Sequence, residues 1–167
     1  MGFYLKNLKE RECVESFYPN GLLEQVSETT PWEIKTIDYV YDDLLRLQRA
    51  STQKEYALNL GQILSTRKEY YEFDANGNRL LRRITEDGEI TESTKYRYNK
   101  LNQIIQAGNE VFYHDALGNI ETRIDVAKDQ LIEYFWGVEN RLELVTIKER
   151  STDILIKEVE YQYDGMG

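Results

Sequence analysis

The sequence predicts an all-β protein built from consecutive antiparallel β-hairpins. The main observation is a motif in which aromatic residues are followed by an Asp, with a Gly three residues and an Asn four residues beyond it. The motif is clearest at residues 71–80 and 112–120. Aromatic residues favour strands, whereas Asp, Gly and Asn favour a tight turn, since the Asp side chain bonds nearby amides and Gly and Asn accept positive φ. Each copy therefore predicts a strand, a turn and a returning strand.

Looser copies of the motif recur at residues 39–42, 96–102, 134–142 and 161–167, with a degenerate copy at 17–22. If the residue before the Asp position serves as a marker, the copies fall at 18, 41, 73, 98, 114, 136 and 163. This is an irregular repeat about one hairpin long. We predict that the residues defining the copies have a structural role in the turns and their strands: Tyr71, Phe73, Asp74, Gly77, Asn78, Tyr96, Tyr98, Asn99, Asp115, Gly118, Asn119, Tyr134, Trp136, Asn140, Tyr161, Tyr163 and Asp164.

A second class of turn is predicted between the motif copies. Asp87-Gly88 in residues 86–89 favours a type I′ hairpin, and Gly108 at the first central position of residues 107–110 suits type II′. Turn signals and alternation together predict about 10 to 14 strands. Only residues 53–61 have some helical character, and the sequence leaves open a short helix ending at Gly61 or a long hairpin.

Length and charge limit the domain organisation and the partners. A chain of 167 residues has room for one domain with a moderate core, and its mean hydropathy of -0.64 suits a thin, partly covered sheet. We divide it into residues 1–38, whose strands are difficult to define and could hold a degenerate repeat, and a hairpin strip at 39–167. The net charge of -9 repels phosphate backbones and anionic lipid, so nucleic acid is not an expected partner.

The sequence contains no recognisable targeting or membrane segment. Its first residues are too charged for a signal peptide, and no stretch approaches the length of a spanning helix, so no membrane span is expected. Cys13 is the only cysteine, which excludes an internal disulfide. The location of the protein is left open by these observations.

Residues that could carry catalysis or hold a metal are few. His114 is the only histidine, and it occupies the aromatic position before Asp115, so we predict that it replaces a Tyr on the sheet. Residues 74–78 resemble the start of a calcium loop, but Arg79 and Thr85 stand where that loop needs Gly and Glu. We therefore expect no enzyme activity, no cofactor and no metal site.

The alternation of Tyr-x-x-Asp-like strands with Gly-Asn and Asn-Arg turns resembles the YD repeats of Rhs proteins, which also occur in insecticidal toxin complexes, bacterial wall-associated proteins and teneurins. The resemblance is strongest over residues 71–167 and extends to 39–45. It implies hairpins joined edge to edge in a curved strip, part of a spiralling β shell around a C-terminal toxin or effector. The implied function is a structural segment of that shell, in a larger protein that is secreted or displayed at the cell surface.

A second function stays open, a module that binds carbohydrate or a cell surface through aligned aromatic side chains. Rings covered by neighbouring hairpins at Tyr71, Tyr96, Tyr134 and Tyr161 would indicate a core, whereas an exposed ladder would indicate a platform for sugars. Self-cleaving Rhs proteins carry their proteolytic acids in a segment rich in Pro and Asp. Because nothing after Tyr163 resembles that segment, we do not expect this activity.

The last predicted strand, residues 154–163, is expected to leave one row of N–H and C=O groups unpaired. Such an edge is a template for another strand. The predicted partners are therefore further YD repeats that cover the edge, or another copy of the chain. The resemblance adds a toxin or effector cargo as a partner, and the second function adds carbohydrate.

Overall fold

The fold is all-β, as the sequence predicts. A computed structural model describes residues 11–163, so the predicted motif residue Asp164 lies outside the described part of the chain. Thirteen strands fall within that part, in the range predicted from the turn signals, and no helix occurs there. The strands are β1 (Glu12–Phe17), β2 (Leu23–Thr29), β3 (Glu33–Tyr41), β4 (Leu47–Tyr56), β5 (Ile63–Phe73), β6 (Arg79–Glu86), β7 (Glu89–Tyr98), β8 (Ile104–Ala107), β9 (Glu110–His114), β10 (Ile120–Asp125), β11 (Gln130–Trp136), β12 (Leu142–Glu149) and β13 (Leu155–Glu160).

Each strand neighbours the strands that precede and follow it in sequence, so the hairpins are consecutive. The ladders are antiparallel, as short connections require. The chain divides into two compact units, one up to Thr94 and one from Lys95. The boundary lies inside β7 and within the predicted strip of residues 39–167. The division into residues 1–38 and 39–167 stays a prediction.

Within each unit the hairpins form a single layer, because the strand contacts found among residues 11–163 are between sequence neighbours. Burial is correspondingly sparse. In residues 11–163 the buried hydrophobic side chains are Leu81, Ile84, Ile132 and Val145, and no large side chain is completely enclosed. Stability must therefore depend on ladder hydrogen bonds and on side chains that lie along the faces of the sheet.

The turns between motif copies have the predicted backbone conformations. Asp87 and Gly88 have φ values of 48° and 91°, which confirms the type I′ turn. Gly108 has a φ of 56°, whereas Asn109 is not among the residues with positive φ, as a type II′ turn requires. Both turns match the right-handed twist of their strands.

The longest connection contains no helix. Strand β4 continues to Tyr56, a turn occupies residues 57–61, and the N–H of Tyr56 donates to the carbonyl of Gln62. Gly61 has a φ of 90°, outside the helical region. The short helix is therefore wrong and the long hairpin is confirmed, because pairing along β4 and β5 satisfies the backbone groups that a short isolated helix would leave open.

Candidate functional site

The candidate site is the repeated turn itself, since six turns among residues 11–163 share one geometry. We call them motif turns. In each, the first residue donates its N–H to the carbonyl four residues on, and the residue three positions on has positive φ and donates back to the first carbonyl. The flanking residues pair across a register shift at the end of the ladder. The first residues of the six turns are Tyr18, Asp42, Asp74, Asn99, Asp115 and Gly137.

This geometry is a type I turn followed by a left-handed residue that forms a bulge. It explains why the motif has Gly three residues after Asp, since Gly adopts positive φ without steric cost. Gly77 and Gly118 have φ values of 88° and 92°. The other left-handed positions are occupied by Gly21, Leu45, Asn102 and Asn140.

The side chain of Asp74 holds its turn closed. Its Oδ1 accepts from the backbone N–H groups of Asn76 and Asn78, at 2.9 and 2.8 Å, and its Oδ2 accepts from the Asn78 amide at 2.8 Å. Asp115 forms the same three bonds with Leu117 and Asn119, each at 2.9 Å. The Asp and the Asn of the motif are thus direct partners.

Two other motif turns use different residues for the same bonds. Asp42 accepts from the N–H groups of Leu44 and Arg46, and its Oδ2 accepts from the Arg46 guanidinium at 2.7 Å. Asn99 accepts through Oδ1 from the N–H groups of Leu101 and Gln103. An amide can therefore replace the carboxylate at the first position.

Hydrogen bonds lower the pKa of these carboxyl groups. The Asn78 side chain is the largest cause at Asp74, and the Asn119 side chain at Asp115; backbone N–H groups add to both. At Asp42 the backbone N–H of Arg46 is the largest cause. In each case the ionised form is the better acceptor, so the turn favours it.

The turn at Gly137 has no side chain at the first position. A Cβ there would lie 1.9 Å from Oε1 of Glu143, so the glutamate occupies the space that Asp fills in other turns. The turn still closes through the N–H of Gly137 to the carbonyl of Arg141, at 2.8 Å. Asn140 supplies its left-handed residue and its side chain accepts from Asn119, which connects two neighbouring motif turns.

The structure changes the register of the first copy. The N–H of Tyr18 donates to Leu22 and the left-handed residue is Gly21, so Tyr18 occupies the first turn position and the marker residue is Phe17. The sequence marker at 18 is wrong by one residue. The reason is that Pro19 was placed at the Asp position, whereas proline lacks the N–H that this position must donate.

Aromatic side chains connect consecutive motif turns. Tyr41 and Trp136 each precede a motif turn, Tyr163 is the last described residue, and each of the three donates to the carbonyl of the residue that begins the strand after an earlier motif turn. Tyr41 donates to Leu23 at 3.0 Å, Trp136 to Ile120 at 2.9 Å and Tyr163 to Leu142 at 2.8 Å. We call these bonds the aromatic links.

The aromatic links lie where the ladders end. The β2–β3 register stops at Gln25 and Asp38, so the carbonyl of Leu23 has no backbone partner across β3. The Tyr41 hydroxyl supplies one. This explains the preference for Tyr or Trp at the position before the turn, because these residues combine an apolar body with a donor at the tip.

Phe73 occupies the same position but has no donor. There the guanidinium of Arg46 lies 4.9 Å from the centre of the Phe73 ring, and its Nη1 donates to the carbonyl of Asp74 at 2.7 Å. An arginine from the previous motif turn thus makes the connection that an aromatic link makes elsewhere.

Tyr71 lies in a charged cluster on one face of the first unit. Its hydroxyl donates to Glu69 at 2.7 Å, and Glu69 also contacts Arg67 and Arg82 at 3.0 and 3.3 Å. Burial pushes the pKa of Glu69 up, but the bonds from Tyr71 and Arg67 and the two cations outweigh it, so the pKa is lowered. The Arg79 guanidinium lies 5.0 Å from the Tyr71 ring.

The other predicted aromatic residues differ in exposure. Tyr96, Tyr98, Tyr134 and Trp136 are half-buried, whereas Tyr161 and Tyr163 are exposed by 43% and 47%. An exposed ladder is thus present only at the last two. The ring of Tyr163 is also contacted by the Arg141 guanidinium, at 5.4 Å.

Strand β13 is paired on one side only within residues 11–163, its partner being β12. Its residues are exposed apart from Val159. A surface groove runs beside the end of this strand and is lined by Glu143, Glu160, Tyr161 and Tyr163, among others. The predicted open edge is therefore present in the described structure.

The described residues contain no group of three or more His, Cys, Asp or Glu side chains placed to hold a metal. His114 ends β9 and pairs with Ile120 across the motif turn at Asp115, the position predicted for it. Residues 11–163 contain no helix that is long and apolar enough to cross a membrane.

Sequence reasoning missed two features of the site. Leu45 has a φ of 62°, a conformation that Leu rarely adopts, so nothing in the sequence marks it as the left-handed residue. The aromatic links were also missed, because they join residues 16 to 21 positions apart. The recurrence of Tyr or Trp just before the turn was the available signal.

No protein-family model matches the sequence, and no curated protein matches it. Among solved structures, the fold is similar to a chain in the structure of the Photorhabdus luminescens Tc holotoxin pore that carries a mutation in TccC3. The TM-score is 0.50 and the sequence identity is 15%, over 92% of this chain. The chain spans about one tenth of the matched chain, since it covers 10% of that length. At this identity the similarity shows the fold alone.

Proposed function

We propose that the chain is a structural YD-repeat segment of an Rhs-like shell that encapsulates or presents a C-terminal toxin or effector. The observation that carries the proposal is the recurrence of one motif turn six times at the ends of consecutive hairpins. A binding or catalytic site needs one particular arrangement of side chains. The wall of a shell, in contrast, is built by repeating one arrangement of residues many times.

The repeat is built so that it can be extended. Each aromatic link uses a donor from one repeat and a carbonyl from the repeat before it, so these three hairpins are stabilised by their nearest neighbours. Proteins held together by contacts between neighbouring repeats can grow by adding repeats without a new core. This property suits a long strip.

Sparse burial also supports a wall. A sheet of one layer has two faces and little interior, which agrees with the few buried hydrophobic residues among residues 11–163. In a shell, one face of such a layer would meet the enclosed polypeptide and the other would meet solvent. The similarity in fold to a chain of the Tc holotoxin pore supports the same reading.

The proposed role is non-catalytic and needs no cofactor. Its partners are further repeats along the strip and the enclosed toxin or effector, in a protein that is secreted or displayed at the cell surface. Carbohydrate binding stays the second possibility, and it has less support because the Tyr71 ring is contacted by Arg79 and its hydroxyl is used by Glu69.

The test is limited proteolysis of the protein that carries this sequence, purified from its source through an epitope tag in the exposed turn at residues 57–61. We expect a second polypeptide segment that resists protease while the hairpin strip is folded. The same segment should become sensitive when denaturant unfolds the strip, as mass spectrometry of the fragments would show.

A matched control inserts the tag into a protein whose motif turns are weakened by Gly77→Val and Gly118→Val. We expect the segment to lose its protection at a lower denaturant concentration in that variant. If no segment is protected in the parent protein, or if its protection does not depend on the strip being folded, the shell function is wrong.

A further inference from the structure

Two arginines and a tyrosine form a row across the first unit, on the face opposite the Tyr71 cluster. Arg49 on β4 lies directly opposite Tyr70 on β5, and Tyr70 lies directly opposite Arg83 on β6. Directly opposite residues of an antiparallel ladder share a face, with their Cβ atoms about 5 Å apart. The two arginines are two strands, about 9.6 Å, apart, with Tyr70 on the strand between them.

Both guanidinium groups lack an acceptor in the described structure. The Nε atoms of Arg49 and Arg83 are buried and have no hydrogen-bond partner. No ion pair or hydrogen bond from either side chain to another residue of 11–163 is present. The two side chains are half-buried as a whole, and their Nη atoms are not among the buried atoms without a partner.

Other arginines of the chain have a carboxylate nearby, although the Nε of Arg123 is also buried without a hydrogen-bond partner. In both units, several arginines have a carboxylate within 4 Å of the guanidinium group: Arg46, Arg67, Arg82, Arg123, Arg141 and Arg150. Buried guanidinium N–H groups without an acceptor are rare, since a buried polar group normally finds a partner. The pair on this face therefore has an unmet requirement for an anion.

The surrounding charges favour an anion as well. Lys68 lies two residues before Tyr70, on the same face, and Glu72 lies two residues after it, exposed and outside ion-pair distance of both arginines. Asp38, opposite Ser51 on the neighbouring strands, accepts a bond from Gln25. The three cations Arg49, Lys68 and Arg83 thus outnumber these two carboxylates, in a chain whose net charge is -9.

We propose that Arg49, Tyr70 and Arg83 bind an oxyanion, a carboxylate or phosphate group held between the two guanidinium groups. Each guanidinium presents parallel N–H donors that match two oxygens of such a group. Tyr70, which pairs with both arginines, carries a hydroxyl that supplies a further donor. The site is independent of the proposed shell function, since it uses one face of β4–β6 and none of the motif turns.

The test uses the ¹⁵N-labelled 167-residue chain and the NMR signals of the arginine Nε–H groups. Sodium phosphate and sodium acetate are titrated separately, with sodium chloride at matched ionic strength as the reference. We expect saturable shifts of the Arg49 and Arg83 signals with phosphate or acetate, and none with chloride. The tighter of the two anions identifies the class of ligand, a phosphate or a carboxylate.

Variants separate this site from general attraction of anions. Arg49→Gln and Arg83→Gln should each weaken binding about tenfold or more, since each removes charge-assisted bonds. Arg83→Lys keeps the charge but loses the paired donors, so it should weaken binding as well. The matched control is Arg67→Gln on the opposite face, where Glu69 and Glu86 already pair with the guanidinium; it should change the affinity by less than about twofold.

Circular dichroism of each variant checks that the fold is retained. The proposal is overturned if the parent chain shows no shift beyond the chloride reference. It is also overturned if Arg67→Gln weakens binding as much as the two site variants do, because the anion would then be attracted by charge alone.

Discussion

The hydroxyl of Tyr41 lies 3.0 Å from the backbone carbonyl of Leu23, which the β2–β3 ladder leaves without a strand partner. The hydroxyl of Tyr163 makes the corresponding bond to the carbonyl of Leu142 in a later repeat. A side chain thus completes the ladder where the backbone cannot, and where it occurs it connects one repeat to the repeat before it. Removal of this bond should lower the free energy of unfolding and leave the local structure largely unchanged.

We predict that Tyr41→Phe lowers the free energy of unfolding by about 0.5–1.5 kcal/mol, because it removes one part-buried hydrogen bond and keeps the ring. Urea titration followed by circular dichroism measures the change. Tyr113→Phe is the matched control, since this tyrosine is 54% exposed and its hydroxyl bonds no residue among 11–163. Equal effects of the two substitutions would contradict a role for the aromatic link.

Replacement of Gly77 or Gly118 by Val should destabilise the chain by about 1 kcal/mol or more, since both glycines have positive φ. At Gly118 a Cβ would in addition lie 3.0 Å from Nε2 of Gln103, whereas at Gly77 it would meet no atom within 4 Å. We expect the Gly118 variant to be the less stable of the two in thermal melts.

Gly77→Asn provides the control for backbone strain. Asn occupies the same position in two other motif turns, as Asn102 and Asn140, so it should cost less than Val at residue 77. Melting temperatures that match the parent in all these variants would show that positive φ is not required at the turn.

Acid should weaken the motif turns through Asp74 and Asp115. Hydrogen bonds from the Asn side chains and backbone amides lower the pKa of both carboxyl groups in the folded chain. A lowered folded pKa gives stability that is present above the unfolded value of about 3.9 and is lost as the pH falls through the folded pKa. We therefore expect the free energy of unfolding to fall below about pH 4.

Asp115→Asn tests this origin. Asn99 closes its own turn with Oδ1, so an Asn at 115 should keep the turn near pH 7. Because an amide does not titrate, the variant should lose less stability than the parent between about pH 5 and pH 2. An unchanged pH profile would mean that other groups cause the acid sensitivity.

The open edge of β13 should promote association of the chain with itself or with another strand. The N–H of Tyr161 donates inward to Glu143 at 2.9 Å, and alternation along an antiparallel strand then places the N–H groups of Glu158 and Glu160 on the outer edge. We expect sedimentation velocity to show association that increases with concentration, and Val159→Lys to reduce it.

Proline variants can separate the two sides of this strand. Glu160→Pro removes an outward N–H and should reduce association while the β12–β13 ladder stays, whereas Tyr161→Pro removes the inward N–H that bonds Glu143 and leaves the outward N–H groups in place. A parent chain that stays monomeric at every concentration tested would rule out association through this edge.

The sequence alone determined the fold class and most of the turns of this protein. Strand and turn chemistry are local, so Asp87-Gly88 and the Asp, Gly and Asn of residues 74–78 each specify a backbone conformation within a few residues. The same locality made the first copy ambiguous, since Pro19 resembles a turn residue but cannot donate the N–H that Tyr18 donates.

Only the tertiary structure decided which side chains meet across strands. The 53–61 stretch became a hairpin because β5 satisfies the backbone of β4, a partner that local propensity does not consider. Leu45 adopts positive φ because Asp42 and Arg46 close the turn around it. The aromatic links and the row of Arg49, Tyr70 and Arg83 depend on register, which sets the partner of each residue tens of positions away.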